Sequence, residues 1–355
     1  MANALFKKFI TDIGDSDTTL ASAGTSSAEF SGYIDTGSYV LNAAVSGSLF
    51  GGFPNNKALI LAGDPATGKT FFALGIVRNF LQQHKDGHVF YIDTESAVTN
   101  EMLAARGIDP DRVAKSEPDS IEKFRTIAVK ALDAYLALPE EKRFPLLMVL
   151  DSLSALPSKK ETEDIANEKD VRDMTKSQLI KGAFRVLRLK LAKAKVPLLV
   201  TNHVYAVIGA YMPTKEMAGG SGAKYAADTI VFLSKKKDRD ADKDVVGNIV
   251  TARMAKSRLT KEESKVETRI LFDGGLDRYY GLLEYAEAAG LVKRIGNKYE
   301  FPNGDKAFEK AILTKPSQFF THEFLTQLDT YMQRQFLYNG AQEPVDIDAE
   351  EAEDE

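Results

Sequence analysis

Apolar residues along the chain form short runs, separated by longer stretches with helical spacing. The runs that end at Gly63, Asp93 and Asp151 are almost continuously apolar. Such runs are typical of parallel strands that helices cover on both faces. We therefore predict an α/β core with a mostly parallel sheet flanked by helices. Three later strands extend this predicted sheet, at 229–233, 249–254 and 266–272.

The longest helical pattern covers about residues 170–195. Its apolar positions recur at spacings of three and four and form one face, with Ile180, Phe184, Leu187 and Leu191. Its cations form a second face, with Lys181, Arg185 and Arg188. These cations could touch phosphate, although a basic solvated face is the ordinary arrangement.

The pattern divides the chain into four parts. Residues 1–38 combine a short amphipathic stretch with a Ser/Thr/Gly/Ala-rich connector, which suits either an arm that docks on a neighbouring subunit or a frayed terminus. Residues 39–275 form the predicted α/β core, and residues 276–340 a small C-terminal α/β lobe. Residues 341–355 form an acidic tail that we expect to be disordered.

Composition narrows the class of protein. The 355 residues include no cysteine, which excludes disulfides and fits a cytoplasmic protein. No apolar run reaches the roughly 18 residues of a membrane span, so no membrane partner is expected. Eight of the carboxylates behind the net charge of −5 lie in the acidic tail, so the rest of the chain is net positive. Such tails often compete with DNA for basic surfaces, or act only as solubilising segments.

A phosphate-binding loop follows the first apolar run. Residues 63–70 read Gly-Asp-Pro-Ala-Thr-Gly-Lys-Thr and precede a helix-like run, Phe71 to Arg78. The predicted ATP-binding residues are Gly63, Asp64, Pro65, Ala66, Thr67, Gly68, Lys69 and Thr70. The glycines let backbone N–H groups surround the β-phosphate, and Lys69 neutralises the β and γ oxygens. Thr70 is a predicted Mg²⁺ ligand. A glycine turn with an accidental Lys-Thr is the alternative.

Two carboxylates follow the ends of other predicted strands. Asp151 ends its run and is a candidate partner of Mg²⁺ through water. Glu95 follows the run ending at Asp93 and could deprotonate the water that attacks the γ-phosphate. Either acid could instead be a helix N-cap or a solvated strand end.

The order of these segments resembles RecA-type strand-exchange recombinases, and most of all their phage UvsX-type branch. The resemblance covers about residues 39–337. It rests on the P-loop, Tyr91-Ile-Asp-Thr-Glu95, Ser116-Glu-Pro-Asp119, Leu150-Asp-Ser-Leu-Ser-Ala-Leu156, Leu198-Leu-Val-Thr-Asn-His203, Ala226-Ala-Asp-Thr229, Lys256-Ser-Arg258 and Phe272-Asp-Gly-Gly-Leu-Asp277. It implies a RecA-type P-loop ATPase core.

The resemblance also implies roles for single residues. Glu95 matches the catalytic carboxylate, and His203 the position that senses the γ-phosphate. Lys256 and Arg258 match two cations that reach the nucleotide of the neighbouring subunit; without the resemblance, an exposed strand edge would be the simpler reading. Met102 stands where the family usually stacks an aromatic residue on adenine, which puts base selectivity in question.

Two segments between strands are predicted to bind DNA, because the matching loops of the family line the filament axis. They cover residues 158–170 and 203–224, and the alternative is that they are only mobile loops. The second mixes glycines, aromatic rings and cations, which suits single-stranded DNA. The predicted DNA-binding residues are Lys159, Lys160, Tyr205, Tyr211, Lys215, Gly219, Gly220 and Lys224.

The sequence thus predicts an ATP- and Mg²⁺-dependent homologous recombinase that forms helical filaments on single-stranded DNA and pairs it with duplex DNA. A single-stranded-DNA-binding protein and a loading mediator are expected partners, in the host cytoplasm if the chain is phage-encoded. A hexameric RecA-fold helicase is one alternative, although residues 1–38 leave little room for its extra domain. A regulatory ATP-binding paralogue is another, which the full set of site residues disfavours.

Overall fold

The computed structural model describes residues 4–14, 18, 20, 30, 32–168, 175–206 and 215–338. Tyr211 and the acidic tail, both of which carry predictions, lie outside these ranges. None of the helices in the described ranges has the length and hydropathy that crossing a bilayer requires.

The described residues form twelve α-helices and fifteen strands. The helices are α1 Ala4–Ile13, α2 Tyr39–Ser46, α3 Lys69–Gln83, α4 Asn100–Ala104, α5 Ile121–Leu136, α6 Lys159–Ala166, α7 Lys176–Ala194, α8 Gly220–Ala226, α9 Leu282–Ala288, α10 Glu309–Thr314, α11 Pro316–Phe319 and α12 His322–Phe336. The strands are β1 Tyr33–Ile34, β2 Phe53–Pro54, β3 Ala58–Gly63, β4 His88–Asp93, β5 Val113–Ser116, β6 Leu146–Asp151, β7 Leu198–Ala206, β8 Lys215–Met217, β9 Thr229–Arg239, β10 Val245–Lys256, β11 Lys265–Leu271, β12 Gly275–Asp277, β13 Lys293–Ile295, β14 Lys298–Glu300 and β15 Lys306–Phe308.

Six neighbouring strands of the central sheet are parallel, in the order β5, β4, β6, β7, β3 and β9. Gly63 of β3 is level with His203 of β7, and Asp93 of β4 with Asp151 of β6. The predicted phosphate and metal residues therefore meet at one edge of the sheet, at its carboxyl ends, where α/β proteins bind ligands.

The other half of the sheet is antiparallel. From β9 the order continues with β10, β11 and β12, each antiparallel to the one before. The sequence predicted β9 and β10 with shorter bounds, and β11 shifted by one residue. Their connections are too short for the helical crossover that a parallel pair needs, so the chain folds straight back.

Helices cover both faces of the sheet and form two hydrophobic cores. One core contains buried residues of α2 and α3, and the other contains those of α5 and α7. The predicted apolar face of α7 is confirmed: Ile180, Phe184, Leu187 and Leu191 are buried. The helix begins at Lys176. The near-continuous burial of β3 and β6 explains why their sequences lack the alternation of a half-exposed strand.

The C-terminal lobe contains a three-stranded antiparallel sheet, β13–β15, and helices α9 to α12. Its core is continuous with that of α2 and α3. The buried carboxylate of Asp329 in α12 joins the lobe to the loop after α2, because it accepts hydrogen bonds from Leu49 N (2.5 Å) and from Ser48 Oγ (3.1 Å).

Asp329→Ala is expected to lower the free energy of unfolding by about 1–3 kcal/mol, because the buried Leu49 N–H would lose its acceptor. Urea denaturation followed by circular dichroism measures this change. Gln327→Ala, an exposed position on the same helix, serves as the control and should stay within about 0.5 kcal/mol. Equal stabilities of the two variants would contradict the assigned role of Asp329.

Candidate nucleotide-binding and catalytic site

The P-loop forms a tight turn between β3 and α3. Gly68 has a φ of 91°, a left-handed conformation that suits glycine. A Cβ on Gly63 would lie 2.6 Å from Thr67 Oγ1 and 2.7 Å from the Leu233 carbonyl oxygen, so no larger residue fits. The turn leads into the N-terminus of α3, whose free N–H groups and dipole favour an anion. This cradle fits a nucleotide polyphosphate.

Lys69 is buried under the loop. Its ammonium donates to the carbonyl oxygens of Gly63 and Asp64, both at 3.0 Å, and lies 3.5 Å from His203 Nδ1. Burial lowers the pKa of Lys69, and the charges of nearby carboxylates oppose that shift. These contacts hold a cation where phosphate oxygens would enter the loop.

Asp151 is a fixed, buried carboxylate at the end of β6. One of its oxygens accepts a hydrogen bond from Tyr91 OH (2.7 Å), and the other accepts one from the Thr201 hydroxyl. Burial, followed by the charge of Asp151, raises the pKa of Tyr91 well above its usual value, so the phenol stays a donor. The oxygen-only donor set of Thr70 and Asp151 fits Mg²⁺, which when bound would neutralise phosphate charge.

The structure brings Glu95 and His203 together. Ser152 Oγ donates to Glu95 Oε1 at 2.7 Å, and His203 Nε2 lies 3.4 Å from the same oxygen. Ser152 is itself fixed, because its backbone N–H donates to Thr94 Oγ1 (2.8 Å) and Thr94 Oγ1 donates to its carbonyl (2.6 Å). The predicted base and the predicted phosphate sensor are thus in contact beside Lys69.

Ser152 was not among the predicted site residues. Its position directly after Asp151, at the end of a buried strand, was the available signal. A hydroxyl there faces the neighbouring strand end, and so reaches the loop after β4 that carries Glu95.

Met102 lies in α4. Its side chain is partly buried against the hydrophobic core. Arg106 donates to the Met102 carbonyl (3.2 Å), and its guanidinium lies 5.6 Å from the centre of the Phe71 ring. Phe71 and Arg106 were not among the predicted site residues, although Phe71 directly follows Thr70.

Lys256 and Arg258 lie away from the chain's own P-loop. Lys256 of β10 is level with Ile230 of β9, and Ile230 with Ile60 of β3. Ile60 precedes Gly63 by three residues, which is about 10 Å along a strand. Lys256 Nζ donates to backbone carbonyl oxygens, at 2.7 and 2.9 Å. Burial lowers the pKa of Lys256, and the nearby charge of Arg258 adds to this effect.

The first predicted DNA-binding segment is a helix over most of its length, which corrects the prediction of a loop. A capping box of Ser158 and Glu161 starts α6, and Lys159 and Lys160 occupy its first turn. Lys160 forms an ion pair with Asp164 one turn later. The two lysines are exposed on a helix rather than on a flexible loop.

The described residues of the second predicted segment, 203–206 and 215–224, also contain regular structure. Strand β8 pairs antiparallel with the end of β7, and α8 follows it. Gly219 and Gly220 turn the chain with φ values of 83° and 62°. The chain then approaches α7 so closely that a Cβ on Gly222 would lie 2.8 Å from Lys181 N. Tertiary packing against β7 and α7 therefore orders residues that have little structural propensity of their own.

Of the predicted DNA-binding side chains in the described part of this segment, Tyr205, Lys215 and Lys224 are exposed. Lys215 forms an ion pair with Asp64 of the P-loop. The predicted DNA-binding and nucleotide-binding elements are thus in direct contact.

Residues 13–277 match the sequence model of the RecA N-terminal domain. This protein belongs to the RecA family. The recombination and repair protein of Enterobacteria phage T4 is 36% identical over 258 residues, which are 73% of this chain and 64% of the T4 protein. The match spans less than two thirds of the T4 protein's length. Protein RecA of a Nocardioides species is 28% identical over 274 residues, which are 77% of this chain and 74% of that RecA.

A crystal structure of the RadB recombinase aligns with this RecA-family chain at 22% identity and a TM-score of 0.48. The alignment covers 69% of this chain and 99% of the RadB chain. The family assignment rests on the sequence matches. The predicted family resemblance and the predicted α/β fold class are confirmed.

Proposed function

We propose that this protein is an ATP-dependent homologous recombinase that polymerises on single-stranded DNA and exchanges strands with homologous duplex DNA. One observation carries the proposal. The P-loop, Glu95 and His203 lie at one end of the sheet, whereas Lys256 ends β10 away from that end, and Arg258 follows two residues later. A nucleotide site that uses all of these groups needs two copies of the chain.

In this proposal the chain's own residues divide the work of hydrolysis. The P-loop and Lys69 bind the phosphates, and Thr70 and Asp151 hold Mg²⁺. Glu95, fixed by Ser152, orients and deprotonates the attacking water. His203 contacts both Glu95 and Lys69, so it can respond to the γ-phosphate and pass that response into β7.

Cations supplied by a neighbour make turnover depend on assembly. Lys256 and Arg258 would stabilise the charge that develops on the transferred phosphoryl group only when the next subunit is docked. A filament therefore hydrolyses ATP, and an isolated subunit does so poorly.

DNA would bind at the exposed residues of β7 to α8. Tyr205 offers a ring for base stacking, and Lys215 and Lys224 offer charges for phosphate. Lys215 forms an ion pair with Asp64 of the P-loop. DNA phosphate that binds Lys215 in place of Asp64 would therefore change the charge beside the bound nucleotide. A single-stranded-DNA-binding protein and a loading mediator are proposed partners in the host cytoplasm.

Strand exchange between circular single-stranded DNA and homologous linear duplex DNA tests the proposed function. We expect joint molecules and nicked circles with ATP and Mg²⁺, none with heterologous duplex, and none with Lys69→Ala. Unwinding that does not depend on homology would identify a helicase instead. Filament binding without exchange would identify a regulatory paralogue.

A further inference from the structure

A group of charged residues surrounds the start of β9, about level with the start of β3. Asp228 is buried there, and Lys57, Arg188, Lys256 and Arg258 lie around it. Lys57, Arg188, Asp228 and Arg258 also line a cavity of about 270 Å³, whose apolar wall includes Phe184 and Leu198. Asp228 belongs to the motif Ala226-Ala-Asp-Thr229, to which the proposed function assigns no role.

Each oxygen of the Asp228 carboxylate is engaged. Oδ2 accepts a hydrogen bond from the backbone N–H of Ala58 at 3.0 Å, which fixes the carboxylate to the first residue of β3. Oδ1 lies 3.3 Å from a terminal nitrogen of Arg188 and 3.2 Å from Nε of Arg258. One buried anion therefore holds two arginines from different elements side by side.

The contact with Asp228 leaves the Arg258 side chain about half exposed. The Arg258 side chain is 53% exposed, whereas the Asp228 side chain is 11% exposed. Because Asp228 meets Arg258 at Nε, the terminal amino groups can donate to another anion. An arginine side chain that is free to rotate loses roughly 2 kcal/mol of rotamer entropy when an anion fixes it. The ion pair with Asp228 removes part of that cost in advance.

We propose that Asp228 is a positioning residue for the intersubunit site: it holds Arg258, with Arg188 beside it, in the orientation that meets the neighbouring subunit's nucleotide. This inference rests on the proposed function, since it assumes that Arg258 acts on a neighbour's phosphates. Asp228 itself touches no nucleotide. It acts through Arg258, and its own fixed point is the Ala58 N–H.

Removing the charge of Asp228 has two opposing effects. First, the surrounding cations lose a neutralising negative charge, so they attract any other anion more strongly. Second, Arg258 is no longer held in its orientation. The first effect is screened by salt and acts on binding. The second acts on the turnover number, because misplacing a catalytic group by about 1 Å can cost about 100-fold in rate.

The test is Asp228→Asn, which keeps an oxygen acceptor for Ala58 N–H and loses the charge. We expect the DNA-dependent turnover number for ATP to fall about 10- to 100-fold, with KM for ATP within about twofold because the P-loop is untouched. The loss should persist at high salt. Asp133→Asn is the matched control. Asp133 of α5 pairs with Lys190 of α7, the helix that also carries Arg188, but it does not pair with Arg258. It should keep normal turnover.

Mixed filaments separate a positioning role from a folding defect. An Asp228→Asn subunit has an intact P-loop, so an excess of Lys69→Ala subunits, whose Arg258 face is intact, should restore its turnover. An excess of Arg258→Ala subunits should not, because both variants are defective on the same face. A misfolded Asp228→Asn subunit could not be restored by any partner.

The outcomes distinguish the inference from the function on which it rests. Two outcomes overturn the positioning role alone. In the first, Asp228→Asn has normal turnover. In the second, Lys69→Ala subunits restore the turnover of Arg258→Ala but not that of Asp228→Asn. Normal turnover of Arg258→Ala overturns the intersubunit site itself. A reduced turnover number that only Lys69→Ala subunits restore supports the inference.

Discussion

Arg258→Ala is expected to lower DNA-dependent ATP turnover about 10³- to 10⁵-fold, the range found when a trans-acting arginine is lost in phosphoryl transfer. The reason is electrostatic. The substitution removes a half-exposed cation from the face that would meet the neighbour's nucleotide, while the P-loop of the same subunit stays intact. Steady-state ATP hydrolysis on saturating single-stranded DNA measures the effect.

If Arg258 acts on the neighbouring subunit's nucleotide, two inactive variants should complement each other. An equimolar mixture of Arg258→Ala and Lys69→Ala subunits should regain part of the turnover, since some P-loops then face an intact Arg258. Neither variant should show this activity alone. Arg185→Ala, an exposed arginine of α7, is the control and should behave as the unaltered protein does. Full activity of highly diluted, unassembled subunits would refute the coupling of hydrolysis to assembly.

Glu95→Gln should slow hydrolysis about 100- to 10,000-fold, the usual cost of losing a general base. Glutamine keeps an oxygen that can accept from Ser152 Oγ, so the surrounding structure should persist. The variant should still bind ATP and coat single-stranded DNA, because the phosphate cradle does not include Glu95. Single-turnover hydrolysis and an ATP-analogue binding assay measure the two properties separately.

Glu101→Gln is the control for Glu95, since Glu101 is an exposed carboxylate on the nearby helix α4. It should hydrolyse ATP at the normal rate. Should Glu95→Gln do the same, Glu95 would be a structural acid that anchors Ser152 and His203, and another group would have to activate water.

Local sequence determined the parts of the site that depend on backbone conformation and strand ends. The P-loop follows from Gly63 and Gly68, because only glycine fits the space and the left-handed φ that the turn requires. The position of Asp151 could be predicted from the apolar run before it. A strand that is buried on both faces is apolar along its length, so its first polar residue marks its end. Each of these signals lies within about ten consecutive residues.

The sequence was less informative where order depends on packing. Residues 203–224 have the composition of a loop, yet β8 pairs with β7 and α8 packs on α7 in the described part of this segment. The β8 partner is the preceding strand β7, and the α8 partner α7 lies before β7, so neither contact is between neighbouring residues and glycine content and polarity gave no sign of them. Lys159 and Lys160 are a different case, because the capping box of Ser158 and Glu161 that starts their helix is a local signal in the sequence.

By itself, then, the sequence determined the nucleotide-binding loop, the buried strands and the family of the protein. Only the tertiary structure decided which distant side chains meet. It brought Ser152 and His203 to the same oxygen of Glu95, and it put Arg258 beside Asp228. The physical reason is that strand order and register set these contacts. Register is a property of the whole sheet, so no single stretch of sequence contains it.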